Sequence, residues 1–213
     1  HDVVQRNFQE LSAFLKITQA PESFAKLWVM NKKPELELAM MEVTRLLLNF
    51  TSASKTRAEN TSRFIRRWYG KTDFFKLYNI EVKKRFVQND LVGFIEDLRN
   101  FSQHDRLPFA SARWQMNSDP ETKETIPTQQ FCLEKKDLIE SSFKWKKGLR
   151  YLQNADEKIV IYELIYSYFE LINDFHVWTV KSLEDLHRQD LHWLYETQKH
   201  LNRLLVEAGI IKR

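Results

Sequence analysis

Glycine, proline and cysteine are scarce in this chain. Its 213 residues include 4 glycines, 5 prolines and 1 cysteine. So few glycines and prolines leave little material for the turns of an all-β or loop-rich protein, which makes long helices the natural alternative. The single cysteine, Cys132, excludes an internal disulfide and a cysteine-based metal site, and it fits a reducing compartment.

Long apolar runs and a strong charge of either sign are missing as well. No run approaches the ~18 apolar residues that a bilayer span requires, and the first residues lack the pattern of a signal peptide. With 33 basic and 29 acidic residues, the formal net charge is only +4. Composition alone therefore does not mark a polyanion binder. These absences predict a cytoplasmic protein with no membrane partner.

Helical periodicity runs along most of the sequence and predicts an all-α fold, an elongated helical bundle forming one domain over residues 1–213. After Pro108 the pattern becomes strand-like, which predicts a small β-hairpin insertion at about 109–133. From residue 149 to 208 there is no glycine or proline. We therefore expect a very long C-terminal helix over about 155–208, or two helices in line, which could pair with its copy in a dimer.

The long helical run that Pro34 opens has a polar middle. Residues 51–62 read TSASKTRAENTS. This stretch fits three interpretations: a solvent-exposed helix face, a break between two helices, or a surface that faces a substrate. The sequence leaves all three open.

The most informative segment is Arg99-Asn100-Phe101-Ser102-Gln103-His104, near the end of a predicted helix. Asp90 is placed to cap the start of that helix and Pro108 to stop it. Its apolar positions recur at the three-and-four spacing of one helical face: Leu91, Phe94, Ile95, Leu98 and Phe101. The segment therefore lies at the end of an amphipathic helix.

The spacing within the segment sets its geometry. Asn100 and His104 are four apart and share a helix face, where the Asn amide could hold the imidazole in one tautomer. Arg99 and His104 are five apart, about 140° around an ideal helix. One subunit would therefore struggle to aim both side chains at the same phosphate.

This segment resembles the signature of the HEPN superfamily, the helical domains of many prokaryotic RNA-cleaving toxins and defence proteins. That signature is an arginine, usually followed by Asn, Asp or His, then a few residues and a histidine, and Arg99, Asn100 and His104 fill it. The resemblance implies a metal-independent endoribonuclease of a toxin–antitoxin or antiviral defence type. It implies a homodimer that cuts single-stranded RNA at the subunit seam, with no cofactor and with an antitoxin or regulatory protein as a further partner.

The resemblance also implies catalytic roles. Neutral His104 would take the proton of a ribose 2′-OH and later return one to the leaving oxygen. Arg99 would place its permanent charge on the phosphate, and Asn100 would orient the histidine or donate to a phosphate oxygen. The expected product is a 2′,3′-cyclic phosphate, and DNA should survive because it lacks the attacking hydroxyl.

Other interpretations of the same residues stay open. An arginine here commonly pairs with a carboxylate such as Glu96 or Asp97, and a histidine near a helix C-terminus is favoured by the macrodipole alone. The alternative function is a non-catalytic HEPN-like protein that binds RNA or regulates a partner. Gly93 costs roughly 1 kcal/mol against alanine inside a helix, so we expect a close approach there, and a partner helix at Gly93 would bring two motifs together.

Basic residues cluster near aromatic ones, a mixture that suits a single-stranded RNA path. One cluster lies beside Trp68 and another surrounds Trp145. A solvated helix face with anchoring aromatics is the competing explanation for each cluster. The predicted RNA-binding residues are Arg63, Arg66, Arg67, Arg106, Lys144 and Lys147.

Overall fold

The computed structural model describes residues 3–20, 23, 27–28, 33–118 and 125–210. It is mostly helical and contains a small three-stranded antiparallel sheet. The chain forms two compact units, His1–Leu171 and Ile172–Arg213, and each is described by itself.

The first unit contains most of the elements. In chain order they are α1 (Val3–Gln19), α2 (Lys33–Tyr69), α3 (Asp73–Val82), a π-helical turn (Lys83–Val87), α4 (Asp90–His104), β1 (Ala110–Ser118), β2 (Thr125–Glu134), α5 (Lys135–Ile139), α6 (Leu149–Asn154), β3 (Lys158–Val160) and α7 (Ile161–Leu186). The boundary between the units falls within α7. The second unit also contains α8 (Arg188–Glu207).

Helix α2 runs through the polar stretch at residues 51–62 without a break. Thr51 and Ser54 are buried there. Their hydroxyls donate to the carbonyl oxygens of Leu48 and Phe50 in the same helix, at 3.2 and 2.8 Å. Because the helix satisfies these small polar groups itself, they can be buried at little cost. The break between two helices is therefore excluded.

The predicted hairpin is confirmed. Strands β1 and β2 pair antiparallel from Ala110 opposite Leu133 to Ser118 opposite Thr125, and the turn residues 119–124 lie outside the described part of the chain. The sheet also has a third strand that the sequence analysis did not predict, because β3 pairs antiparallel with β2 at residues 132–134. The fold is therefore not purely all-α.

The single very long helix predicted over about 155–208 is not confirmed. Ala155 ends α6 in an extended conformation (φ −72°, ψ 154°), and Lys135 Nζ donates to its carbonyl oxygen at 2.8 Å. The β-branched Ile159 and Val160 then pair with β2. A second interruption falls at His187 (φ −102°, ψ 18°), between α7 and α8.

The core of the first unit contains one face of α4. Phe94 and Phe101, two turns apart, are both buried and each stacks on the ring of Trp145, with ring centroids 5.7 and 5.6 Å apart. The Trp145 indole N–H donates to the carbonyl oxygen of Leu138 at 2.9 Å. These rings fix the rotation of α4 and so determine which of its side chains reach the surface.

Candidate functional site

The N-cap of helix α4, the helix that carries Arg99, Asn100 and His104, lies one residue before the expected cap. Asn89 is the N-cap, and its side-chain oxygen accepts from the backbone N–H groups of Leu91 and Val92 at 3.1 and 3.3 Å. Asp90, the predicted cap, is the first helical residue, and its carboxylate lies 3.3 Å from Arg150 Nε. Both residue types can cap a helix, so periodicity alone could not separate them.

A buried carboxylate attaches α4 to the segment at residues 141–148. Asp97 is only 5 % exposed. Its Oδ2 accepts from the backbone N–H groups of Lys146 and Gly148, both at 2.8 Å. Two charge-assisted hydrogen bonds to one oxygen hold this segment against the motif helix.

The close approach predicted at Gly93 is present, but the segment at residues 141–148 of the same chain makes it. A Cβ built on Gly93 would lie 2.6 Å from the carbonyl oxygen of Lys147, and one on Gly148 would lie 2.8 Å from Phe94 Cα. Two glycines thus let the two backbones meet. The partner helix suggested at Gly93 is therefore wrong, because that space is already filled.

Glu96 joins three parts of the first unit. Its carboxylate lies 2.7 Å from Lys55 Nζ on α2 and 2.6 Å from Lys147 Nζ. Burial acts to raise the pKa of Glu96, but the hydrogen bonds from Lys147 and Lys55 outweigh it and the pKa is lowered. Glu96 is thus held as a charged structural group.

Arg99 pairs with neither of the carboxylates proposed for it, since Glu96 is bound by two lysines and Asp97 by backbone amides. The Nε atom of Arg99 is buried and has no hydrogen-bond partner among the described residues. Its Nη1 lies 3.5 Å from the Asn100 side-chain oxygen, a long contact. The guanidinium is therefore not neutralised by a carboxylate of the described chain.

His104 is the last residue of α4 and is exposed. Among the described residues it forms no hydrogen bond or ion pair, and the hydrogen bond from Asn100 that its spacing allows is not formed. The structure thus places Arg99 next to Asn100, with His104 one turn further on. Among the residues that the structure describes, no polar contact joins His104 to Arg99.

Three residues predicted to bind RNA, or to stack on it, have structural partners. Trp145 is a core residue, so it is not available to stack on a base. Lys147 is bound to Glu96, and Arg106 Nη2 donates to the carbonyl oxygen of Asp137 at 2.8 Å. Lys147 and Arg106 are both exposed, so contact with RNA stays a prediction for them.

The other predicted RNA-binding residues are exposed. Arg63 lies 3.5 Å from Glu59 across one turn of α2. Arg67 lies over the ring of Trp68, with its Cζ 5.4 Å from the ring centroid. Arg66 and Lys144 are also exposed. An exposed basic and aromatic surface therefore exists at the end of α2.

Exposed apolar side chains follow the motif, a feature that the sequence analysis missed. Leu107 and Phe109 are each 62 % exposed. Between them, the carbonyl oxygen of Pro108 accepts from Thr44 Oγ1 on α2 at 3.3 Å, and Met41, one turn before Thr44, is 66 % exposed. Apolar surface of this kind beside a charged motif is a feature of protein interfaces. The strand-like sequence pattern after Pro108 places Phe109 in the hairpin, and that pattern does not show whether its side chain is exposed.

A cavity of about 600 Å³ lies beside the N-terminal half of α4, between the π-helical turn and Lys147. It is lined by Phe86, Asn89, Gly93, Glu96, Lys147 and Arg150, among others, but not by Arg99 or His104. Most of its charged groups are already engaged in ion pairs. The cavity therefore does not provide the motif with a binding pocket.

Comparison with protein-family models, curated proteins and solved structures finds no match for this chain. Within the described residues, no three His, Cys, Asp or Glu side chains gather closely enough to hold a metal ion. None of the helices that the structure describes is long and apolar enough to cross a membrane. The motif and its surroundings are therefore the features of this chain that bear on its function.

Proposed function

We propose that this chain is a metal-independent endoribonuclease of the HEPN type. In this proposal, Arg99 of one copy and His104 of a second copy act on the same phosphodiester of single-stranded RNA. The activity belongs to a toxin–antitoxin or antiviral system, in which an antitoxin or regulatory protein restrains it.

The state of Arg99 is the observation that carries this proposal. Both acidic residues one turn or less before it are engaged elsewhere, so the guanidinium has no carboxylate partner among the residues described. A guanidinium that binds a phosphate must lack such a partner. Because Nε is buried, the Nη groups of Arg99 would make that contact. An arginine with a merely structural role would have been expected to form one of these pairs.

The surface after His104 supports a shared site. Leu107 and Phe109 expose apolar area that contact with a second copy would remove from water. A two-fold interface at this surface would bring the end of each α4 close to its partner. That arrangement overcomes the angular separation of Arg99 and His104 on a single helix.

The proposed chemistry uses the RNA's own hydroxyl. Neutral His104 removes the 2′-OH proton as the 2′-oxygen attacks phosphorus, and Arg99 stabilises the charge that builds on the phosphate oxygens. The bond to the 5′-oxygen breaks, and that oxygen takes up a proton from the imidazolium. The products are a 2′,3′-cyclic phosphate and a 5′-hydroxyl end.

The experiment is cleavage of a labelled single-stranded RNA in excess chelator, with His104→Ala compared with the parent. Loss of a general acid–base typically lowers the rate by roughly 10²- to 10⁴-fold. Gln103→Ala, at the exposed neighbouring position, should retain the parent rate. A His104→Ala protein that cuts as fast as the parent, or DNA cut as fast as RNA, would contradict the proposal.

A second function, RNA binding without cleavage, is favoured by the exposed arginines at the end of α2. Arg66 and Arg67 lie beside Trp68 on a surface where phosphates and bases could both be contacted. Reversing the charge of both arginines should weaken RNA affinity and flatten its salt dependence. Binding of that kind without any cleavage would leave this second function in place of the first.

A further inference from the structure

The second unit contains an amphipathic helix whose apolar face is uncovered. Helix α8 has no buried residue, although Leu191, Leu194 and Leu201 recur at the spacing of one face and are 46, 56 and 47 % exposed. Helix α1, which is also amphipathic, instead buries residues such as Leu11 and Leu15. Helix α8 therefore exposes to water an apolar stripe of the kind that α1 buries, and such an exposed stripe indicates a binding surface.

Charge is divided along the same part of the sequence. Residues 188–197 are mainly acidic, with one basic residue, Arg188, against Asp190 and Glu196. Residues 198–207 are mainly basic, with one acidic residue, Glu207, against Lys199 and Arg203. The acidic half of one such segment is therefore complementary to the basic half of another.

We propose that α8 (Arg188–Glu207) binds α8 of a second copy of this chain, in an antiparallel pair. Antiparallel pairing places each acidic half beside a basic half, whereas parallel pairing would place like charges together. The opposite charges cancel over the whole segment, so it lacks the excess positive charge that attracts an amphipathic helix to an anionic membrane. A second copy therefore satisfies both the apolar face and the charge pattern.

The repeat of the apolar face restricts the register of the pair. In heptad terms Leu191, Gln198 and Leu205 share one position, and Leu194 and Leu201 share the other, and in an antiparallel pair unlike positions lie opposite each other. Among the registers that this allows, the one with Leu194 of one copy opposite Leu205 of the other also places Glu196 opposite Arg203. Gln198 then lies near the centre, where its side-chain amide already donates to Asn202 Oδ1 at 3.0 Å.

Disulfide cross-linking of the full chain tests the orientation. Leu194→Cys and Leu205→Cys proteins should link to each other when mixed and oxidised, while neither should link to itself. Identical positions in this pair would lie about 16 Å apart along the helix, beyond the ~7 Å reach of a disulfide. The parent, whose Cys132 is buried, should not link at all. Self-linking of each variant would show a parallel pair and overturn the proposal.

Association measured by light scattering tests the apolar face. Leu194→Glu should weaken association at least about tenfold, because a glutamate replaces a leucine of the contact. His192→Glu, which introduces a glutamate on the opposite face of α8, should not weaken it. Added salt should weaken association of the parent, since complementary charges are screened.

Two results would reject this proposal outright. One is the absence of mixed cross-links together with a monomeric parent. The other is binding to anionic vesicles without self-association. These measurements use no RNA. Proteins that carry Leu194→Cys or Leu205→Cys should cross-link equally well with and without the additional change His104→Ala. Failure of this proposal is therefore distinguishable from failure of the ribonuclease proposal.

Discussion

At Gly93 the carbonyl of Lys147 occupies the place where a side chain would begin. Alanine is normally preferred over glycine inside a helix by about 1 kcal/mol. Here the added methyl group would push against backbone that Asp97 also holds, so Gly93→Ala should lower the free energy of unfolding by about 1–3 kcal/mol. Urea denaturation of the two proteins measures this difference.

The sign of that change tests the close approach at Gly93. Gln103→Ala, on the exposed end of the same helix, is the control and should lie within about ±0.5 kcal/mol of the parent. A stabilised Gly93→Ala protein would mean that the position is open and that the segment at residues 141–148 does not contact α4 there.

Glu96 should make the folded state sensitive to acid. Its lowered folded pKa means that its charged form contributes stability above its usual pKa of 4.5, and this contribution is lost as the pH falls through the folded value. Glu96→Gln should therefore lose less stability than the parent as the pH falls below 4.5. Glu157→Gln, at an exposed position, is the control and should follow the parent. Thermal unfolding across that pH range would show the difference, and identical slopes for the Glu96→Gln protein and the parent would contradict this role.

At the scale of elements, the segment at residues 141–148 depends on Asp97. Asp97→Ala leaves two backbone N–H groups without their charged acceptor, which should cost about 3 kcal/mol of unfolding free energy. Asp97→Asn keeps an acceptor oxygen and should lose less. Hydrogen exchange at Lys146 and Gly148 would locate the effect. Unchanged protection of those two amides in Asp97→Ala would contradict the assignment.

Elements whose signal is local could be predicted from the sequence. Helix α4 and the β1–β2 hairpin were found because their periodicities lie within short stretches. Strand β3 was missed because three residues carry almost no pattern, and its pairing partner, β2, lies over twenty residues away along the chain. The same stretch lacks glycine and proline, and their absence wrongly favoured one continuous helix.

The candidate site was only partly predictable for the same reason. The spacing of Arg99, Asn100 and His104 is local, and the structure keeps them on one helix. The engagement of Glu96 and Asp97 is not local, because their partners come from α2 and from residues 146–148. Trp145 was assigned to an RNA surface because its basic neighbours are visible in the sequence, whereas its stacking on Phe94 and Phe101 is not.

At the scale of the whole molecule, the proposed ribonuclease activity depends on association between two copies of the chain. The apolar residues after His104 belong to the first unit and the uncovered face of α8 belongs to the second, and only the former are tied to the chemistry. On a single α4 the arginine and the histidine face directions about 140° apart. Mixed dimers of two inactive variants should therefore regain activity if the site is shared between copies, but not if it lies within one chain.

The most direct test mixes two inactive proteins, Arg99→Ala and His104→Ala, and measures RNA cleavage in chelator. In a mixed dimer, one of the two sites has the intact Arg99 of one copy and the intact His104 of the other. Random exchange of subunits should therefore restore about a quarter of the parent rate per subunit. Cleavage that stays at the level of the separate variants after full exchange would contradict a site shared between two copies.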